Sequence, residues 1–321
     1  MIKDCEKLFH DYHFHQIRQE GEFTAFCIKN ETGEGWMRGM ELFPGLILFF
    51  DSLRMSTCFQ EVTPAYGFLE INYCRSGCYE VEMQGGGHYF LRSGDMCIND
   101  PGSAKVQWSR IPTGIYEGIT LYAEVEKVQS WLGRSFAWAE ISLLPLKKLM
   151  ENDRDVLLTP SGREIESLFQ GMYRAEKKFC RERTALLAVE LFMKMQRFTG
   201  DPGISLPGFS GAVVESTRGA YRYLTEHPFR KTTLGELAEI FSISETNLKR
   251  CFKAMYGQSP GAFLRSERLH QAALLLTEYP ERTIGDIALQ AGYENPTKFS
   301  GAFKTVMGEP PGAYRKRLLG S

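Results

Sequence analysis

Thr233 to Arg265 reads TLGELAEIFSISETNLKRCFKAMYGQSPGAFLR, and Thr283 to Lys316 reads TIGDIALQAGYENPTKFSGAFKTVMGEPPGAYRK. The two stretches are degenerate copies of one pattern at an offset of 50 to 51 residues. In the first, Leu234, Leu237, Ala238 and Phe241 stand at i, i+3, i+4 and i+7. In the second, Ile284, Ile287, Ala288 and Ala291 do the same, and each set predicts one apolar face of a short helix. Each run then breaks. The first stops at Ser242-Ile243-Ser244, with Ser244 placed to cap a new helix, and the second at Gly292-Tyr293-Glu294-Asn295-Pro296. There Asn295 is the cap and Pro296 takes the first helical position, where its missing N–H costs nothing. A second helix follows in both, so the pattern is a helix-turn-helix written twice.

In those second helices Leu248, Cys251, Phe252 and Met255 form an inward stripe, matched one repeat later by Phe299, Ala302, Phe303 and Val306. The opposite face presents Thr246, Lys249, Arg250 and Lys253 in the first copy and Thr297, Ser300, Gly301 and Lys304 in the second, with Lys298 alongside. Arg and Lys bond guanine O6 and N7, while Thr and Ser meet phosphates, base edges or a thymine methyl, so this face carries groove-reading chemistry. Either helix alone reads equally as a solvated face; the repeat argues against that. A tandem pair can occupy successive major grooves of duplex DNA. Ser259 and Pro260 open a connecting helix that runs to roughly Thr277, about 27 Å at the helical rise. Two reading helices on one DNA face sit about 34 Å apart, so the misfit implies that the DNA bends or one unit docks imperfectly.

The segment from about Val213 to Leu318 resembles the DNA-binding domain of AraC/XylS-type transcriptional regulators. The resemblance rests on the Leu237-Ala238 and Ile287-Ala288 pairs, Ser244, and Arg250-Cys251-Phe252-Lys253. It continues through Gly257-Gln258-Ser259-Pro260, Phe263-Leu264-Arg265, Gly292-Tyr293, Phe299, Phe303-Lys304, Gly308, Pro311 and Tyr314-Arg315. It implies that Thr246, Lys249 and Arg250 face bases in the first reading helix, and Thr297, Lys298 and Ser300 in the second. One departure stands out: Gly301 occupies a position where relatives often carry a long polar side chain. Glycine makes no side-chain contact and lowers helix propensity by about 1 kcal/mol relative to alanine. Base reading by the second helix is therefore expected to be weaker, with phosphate contacts from Lys304 and Arg315 doing more of the anchoring.

Charge agrees with a local nucleic-acid footprint. From Ser210 onward there are 15 Lys and Arg against 11 Asp and Glu, a balance of +4, whereas the rest of the chain carries −5. That is a modest patch, so nonspecific affinity is expected to be modest and salt-sensitive. The 321 residues, 43% of them hydrophobic, leave room for a second domain with its own core. There is no run of 18 apolar residues and the N-terminus MIKDCEKLFHDYHFH has no basic-then-apolar pattern, which predicts a cytoplasmic protein with no membrane partner. The eight cysteines contain no Cys-x-x-Cys pair, which speaks against a disulfide scaffold, a zinc ribbon or a methyl-transfer repair regulator. Reduced, mostly buried thiols are expected, with Cys74 and Cys78 as the residual redox candidates.

From about Phe23 to Tyr122 the texture is short strands and turns: Leu46 to Phe50, Phe68 to Tyr73, Tyr79 to Met83, and His88 to Leu91 after a triple glycine. Leu69, Ile71, Tyr73 and Tyr79, Val81, Met83 alternate as half-buried strands do. Ser93-Gly94-Asp95-Met96-Cys97-Ile98 with Pro101-Gly102 resembles the turn-strand-turn of the cupin-like sensor domains that precede the DNA-binding region in this family. Metal cupins converge a His-x-His, a Glu and a later His on one ion. Here the only His-x-His, His13 and His15, lies ahead of the barrel, and Lys105 follows the Pro101-Gly102 turn, so neither a metal-dependent enzyme nor any cofactor is expected. His10, His13 and His15 with Cys5 remain a candidate metal cluster, against the commoner reading of surface or packing histidines.

The expected architecture is a two-domain α+β protein. It comprises a cupin-like antiparallel β-barrel that senses a ligand over residues 1–160, a helical dimerisation segment over 161–199, a turn-rich linker over 200–212, and an all-α DNA-binding domain over 213–321. Tyr73, Tyr79 and Trp108 are the candidates for lining an apolar effector pocket. Ile165, Leu168, Phe169 and Met172, then Leu186, Leu187, Val189, Leu191, Phe192 and Met195, form helices that either cover the barrel or also meet a second copy. These readings converge on a sequence-specific transcriptional regulator, an activator responsive to a small-molecule effector. Its partners would be double-stranded promoter DNA, the effector, a second copy of the chain and RNA polymerase. The alternatives are a constitutive regulator with a vestigial barrel and a metal-dependent cupin enzyme fused to a DNA-binding domain, against which the missing ligands speak.

Overall fold

The chain divides into two units, one of Met1–Gly211 with Met255–Gly257 and one of Ala212–Ala254 with Gln258–Ser321. The computed structural model describes residues 16–60, 67–102, 106–151, 156–178, 180–196 and 208–319. His10, His13, His15 and Cys5 therefore lie outside the described residues.

The first unit carries strands β1 (Gln16–Glu20), β2 (Phe23–Asn30), β3 (Gly33–Phe43), β4 (Leu46–Arg54), β5 (Thr57–Gln60), β6 (Phe68–Met83), β7 (Gly87–Arg92), β8 (Asp95–Asn99), β9 (Val106–Arg110), β10 (Tyr116–Glu124), β11 (Val156–Pro160) and β12 (Phe209–Ser210). Its helices are α1 (Val125–Ser135), α2 (Leu144–Glu151), α3 (Gly162–Glu176) and α4 (Arg181–Met195). Pairing is antiparallel and runs β1-β2-β3-β4-β10-β6-β7-β12, with β8 and β9 also on β6, β11 on β8 and β5 on β9. The sheet curls enough that Phe26, Phe49, Phe68, Leu91 and Leu158, from five strands, share one core. Among the described residues the pairing path does not close into a ring, so the expected barrel is an open, curled sheet.

The long strand β6 organises this unit because it is bulged. Gly118 faces Cys74 and Glu117 faces Ser76, which leaves Arg75 as an extra residue on β6. A bulge bends its strand and resets the alternation of side chains beyond it. Before the bulge, Leu69, Ile71 and Tyr73 join Phe50, Ile119 and Leu121 on a face covered by Ile165, Phe169, Met172, Leu191 and Phe192 of α3 and α4. These helices thus pack on the sheet, as both readings of their apolar spacing had them do. Leu186 on α4 stays 59% exposed beside a cleft of about 460 Å³ lined by Leu42, Phe43, Trp131, Phe136 and Val189.

The second unit is helical: α5 (Gly211–Glu226), α6 (Leu234–Ile240), α7 (Glu245–Tyr256), α8 (Pro260–Glu278), α9 (Ile284–Gln290), α10 (Pro296–Met307) and α11 (Pro311–Leu319). Its helix starts follow local chemistry. Thr233 accepts from the Glu236 N–H at 3.2 Å while the Glu236 carboxylate accepts from the Thr233 N–H at 2.7 Å, a reciprocal capping box. Those bonds hold the Glu236 carboxyl below the usual carboxylate range. Thr283 caps α9 by accepting from the Asp286 N–H at 3.1 Å, and its hydroxyl donates to the Asp286 carboxylate at 2.6 Å. Ser259 caps α8, with Pro260 at its first turn. No helix among the described residues is long and apolar enough to cross a membrane.

Candidate nucleic-acid interface

The first helix-turn-helix is α6 followed by α7. Ser244 accepts from the Asn247 N–H at 3.2 Å and starts α7 where the sequence placed it. The stripe Leu248, Cys251, Phe252 and Met255 is completely buried, so the remaining face must point outward. Thr246, Lys249, Arg250 and Lys253 are all exposed on it. Lys249 Nζ sits 3.8 Å from Glu245 Oε2, an exposed pair one turn apart that holds the lysine only weakly.

The second is α9 followed by α10. Asn295 accepts from the Thr297 and Lys298 N–H groups at 2.8 and 3.3 Å, and Pro296 occupies the first turn. Phe299 and Phe303 are buried completely, but Ala302 is half-buried and Val306 is 39% exposed. The inward stripe of the second copy is therefore shorter than its sequence predicts, because Val306 falls in the last turn of α10. Thr297, Lys298 and Lys304 are exposed and Ser300 is half-buried. At Gly301 a Cβ would meet nothing within 4 Å, so this face has a gap that a side chain would fill.

Arg315, expected to anchor phosphate, is committed elsewhere. Its Nη2 donates to the Arg282 carbonyl at 2.8 Å and its Nη1 to the Pro280 carbonyl at 3.4 Å, which ties α11 to the turn ahead of α9. A cation in a short C-terminal helix reads as a DNA contact only because the sequence does not show which carbonyls it faces. Arg268, which sequence reasoning passed over, does the equivalent work in the first copy: Nε donates to the Pro228 carbonyl at 2.7 Å and Nη2 to the Arg230 carbonyl at 3.0 Å. The signal was present, since both turns carry Pro-x-Arg ahead of the Thr cap.

A family model for a helix-turn-helix domain matches residues 237–317. Over 111 residues the chain is 38% identical to a protein described as an AraC-like transcription regulator in Streptomyces lividans, covering 35% of each. The C-terminal unit is an AraC-type helix-turn-helix domain. The transcriptional activator RhaR of Klebsiella pneumoniae is 32% identical over 135 residues, 41% of this chain and 46% of that one. The solved C-terminal domain of AraT from Geobacillus stearothermophilus is 35% identical, with 32% of this chain and 84% of that one covered and a TM-score of 0.30. The chain thus spans about a third to a half of the length of these full-length relatives.

Outside the AraC-type domain, the first unit holds a second candidate site on its concave face. Of the three residues expected to line a pocket, only Tyr79 lies there: its OH donates to Ser109 Oγ at 2.9 Å and its ring is 5.2 Å from that of Tyr116. Tyr73 is on the other side of the sheet, stacked on Phe169 with centroids 4.3 Å apart, because it precedes the bulge and shares the helix-covered parity. Trp108, adjacent to Ser109, takes the opposite face from it, under Arg110 at 3.9 Å and edge-on to His88.

The register places polar side chains on this concave face that the sequence pattern did not single out. Glu70 lies between Tyr122 and Asn99, and Asn72 between Thr120 and Cys97. Tyr122 OH and Asn72 Nδ2 donate to Glu70 Oε1 at 3.1 and 3.0 Å, and Asn99 Nδ2 to Oε2 at 2.8 Å. Thr120 Oγ1 lies 2.7 Å from Asp51 Oδ2 and 2.8 Å from Asn72 Oδ1. Burial, with the Glu70 charge adding to it, pushes the Asp51 carboxyl up to about 7 against the pull of Thr120. Burial likewise pushes the Cys74 and Cys78 thiols well up, which leaves them no thiolate character at neutral pH.

Proposed function

We propose that this protein is a sequence-specific DNA-binding transcriptional regulator, an activator whose first unit senses a small molecule. The observation that carries the reading is the doubled helix-turn-helix. In each copy a capped second helix buries its apolar stripe and turns Lys and Thr, joined by Arg250 in the first copy, to solvent, where they can meet base edges and phosphates. Thr246, Lys249 and Arg250 are the proposed base readers of α7, with Lys253 on phosphate. On α10, Thr297, Lys298 and Ser300 face the groove and Lys304 meets the backbone.

Effector control follows from the separate first unit. A ligand that binds two arrangements of the protein with different affinity shifts their populations, and with them the docking of the two reading helices. The helical pair α3 and α4 is the proposed seam with a second copy, on the strength of the exposed Leu186 beside an apolar cleft. RNA polymerase is the partner that activation requires.

The test is selection of bound duplexes from a random library by the full-length protein, at two salt concentrations, with and without cell extract. A motif of two short boxes about one helical turn apart is expected. Recovery of no motif under any condition would remove the regulator reading; a motif whose yield ignores the extract would remove effector sensing alone.

A further inference from the structure

We propose that the concave face of the first unit is a receptor for a small organic cation, an ammonium-bearing molecule held between Asp51 and Glu70 against aromatic walls. The proposal deepens the effector-sensing reading of this unit and rests on it.

Three observations carry the argument. The first is room. On β6 the side chains Leu69, Ile71 and Tyr73, which face the helices, are at most 1% exposed, whereas Glu70, Asn72, Cys97 and Tyr79, which face inward, are only half-buried. Solvent therefore reaches part of the side that ought to be the interior, although Phe49, Phe68 and Cys74 on the same side are buried.

The second is an unanswered carboxylate. Asp51 is 6% exposed, and its Oδ1 is fully buried with no hydrogen-bond partner. Its cross-strand neighbours are Met37 and Gly118, neither of which has a side-chain polar hydrogen to give. Ionising a buried carboxyl with an idle oxygen is costly, and the cost falls when a cation or a donor arrives.

The third is a proton count. Thr120 Oγ1 has one proton and two acceptor neighbours, Asp51 Oδ2 and Asn72 Oδ1. Reversing the Asn72 amide would satisfy Thr120 but would set the Asn72 oxygen against Glu70 Oε1, 3.0 Å away. The chain from Asp51 through Thr120 and Asn72 to Glu70 is therefore one proton short while both carboxyls are ionised. Asp51, whose carboxyl burial pushes up to about 7, is the group placed to take that proton. A bound ammonium supplies the missing positive charge and several N–H donors, and lets the proton leave.

The walls select an organic cation. Half-buried Tyr79 lies ring to ring with Tyr116 at 5.2 Å, and behind them Phe49, Phe68 and Tyr122 are buried in the same core. Aromatic faces attract ammonium groups and supply apolar area for an attached carbon skeleton. Two carboxylates are too few for a hard dication, which takes six or more oxygen ligands or keeps a shell of water.

The experiment is calorimetric titration and thermal melting of the full-length protein with phenethylamine, its neutral analogue 2-phenylethanol and its anionic analogue 3-phenylpropionate, together with putrescine, spermidine, choline and calcium chloride. At least one amine is expected to bind and to raise the melting temperature. Asp51→Asn is expected to weaken that amine at least tenfold and Glu70→Gln severalfold, while circular dichroism shows both variants folded. The proposal is overturned if no amine of the set binds at millimolar concentration, or if 2-phenylethanol, 3-phenylpropionate or calcium binds as well as the amines. It is equally overturned if both variants retain wild-type amine affinity. Duplex selection on the same preparation separates the two readings: a recovered motif without amine binding sinks only the cation site, and amine binding without a motif sinks only the regulator.

Discussion

The two helix-turn-helix copies solve the same turn with different residues. In the first, Ser242 takes the left-handed conformation at φ 50°; in the second, Gly292 takes it at φ 85°. A serine there is strained by about 1 kcal/mol, which glycine escapes. The second copy has a further constraint, because a Cβ on Gly292 would stand 3.0 Å from Arg268 Nη1. Arg268 also donates to the carbonyls of Pro228 and Arg230 ahead of the first copy, so one guanidinium abuts both copies. The difference teaches that the first copy has slack in its turn and chemistry on its reading helix, whereas the second is tightly built and sparsely equipped.

The sharpest way to break that comparison is at the turn. Gly292→Ala combines a left-handed alanine with a Cβ that crowds Arg268 Nη1 by a few tenths of an ångström, and is expected to destabilise the AraC-type domain by about 1–2 kcal/mol. Ser242→Gly relieves strain and adds only unfolded-state entropy, so it is expected to stabilise by about 0.5 kcal/mol. Denaturant unfolding of the two variants measures both; equal effects of one sign would erase the distinction between the turns. Comparable in size is the difference in reading. Arg250→Ala is expected to lose about 1–3 kcal/mol of discrimination at one base pair of the first box. Lys304→Ala should weaken all duplexes alike and flatten the salt dependence by about one counterion. Binding titrations against the selected operator and single-base variants decide it. Undiminished discrimination by Arg250→Ala would move the main reader out of α7.

What the sequence made legible divides along the same line. The helical unit could be read because its signals are local: the 3.6-residue spacing of Leu237, Ala238 and Phe241, the caps Ser244, Asn295 and Ser259, and a repeat that checks one copy against the other. It misled at Val306, where the last turn of α10 escapes the core, and at Arg315, whose partners are carbonyls 33 and 35 residues away. In the sheet unit the strand alternation was readable, but not which parity faced the helices. Tyr73 and Tyr79 look equivalent by period two, yet the extra Arg75 in β6 sits between them. The chain of polar contacts from Asp51 to Glu70 depends on the register of β4, β10, β6 and β8. Cross-strand pairs 48 and 69 residues apart, such as Asn72 with Thr120 and Asp51 with Thr120, leave no periodic trace.

The smallest effect tests the comparison most finely. Gly301 is exposed in α10, with open space where its Cβ would point, so Gly301→Ala adds helix propensity and removes nothing. It is expected to stabilise the domain by about 0.5–1 kcal/mol and to leave operator affinity nearly unchanged, because alanine cannot reach a base. Gly301→Gln gains slightly less propensity but adds an amide that can pair with adenine in the major groove. If the second copy is an anchor that lacks a reader, the glutamine variant should impose a new base preference in the second box, while the alanine variant should not. Duplex selection repeated with the two variants reads this directly. A wild-type motif from Gly301→Gln would mean that this position of α10 never enters the groove, and that the second copy is limited by where it docks rather than by what it carries.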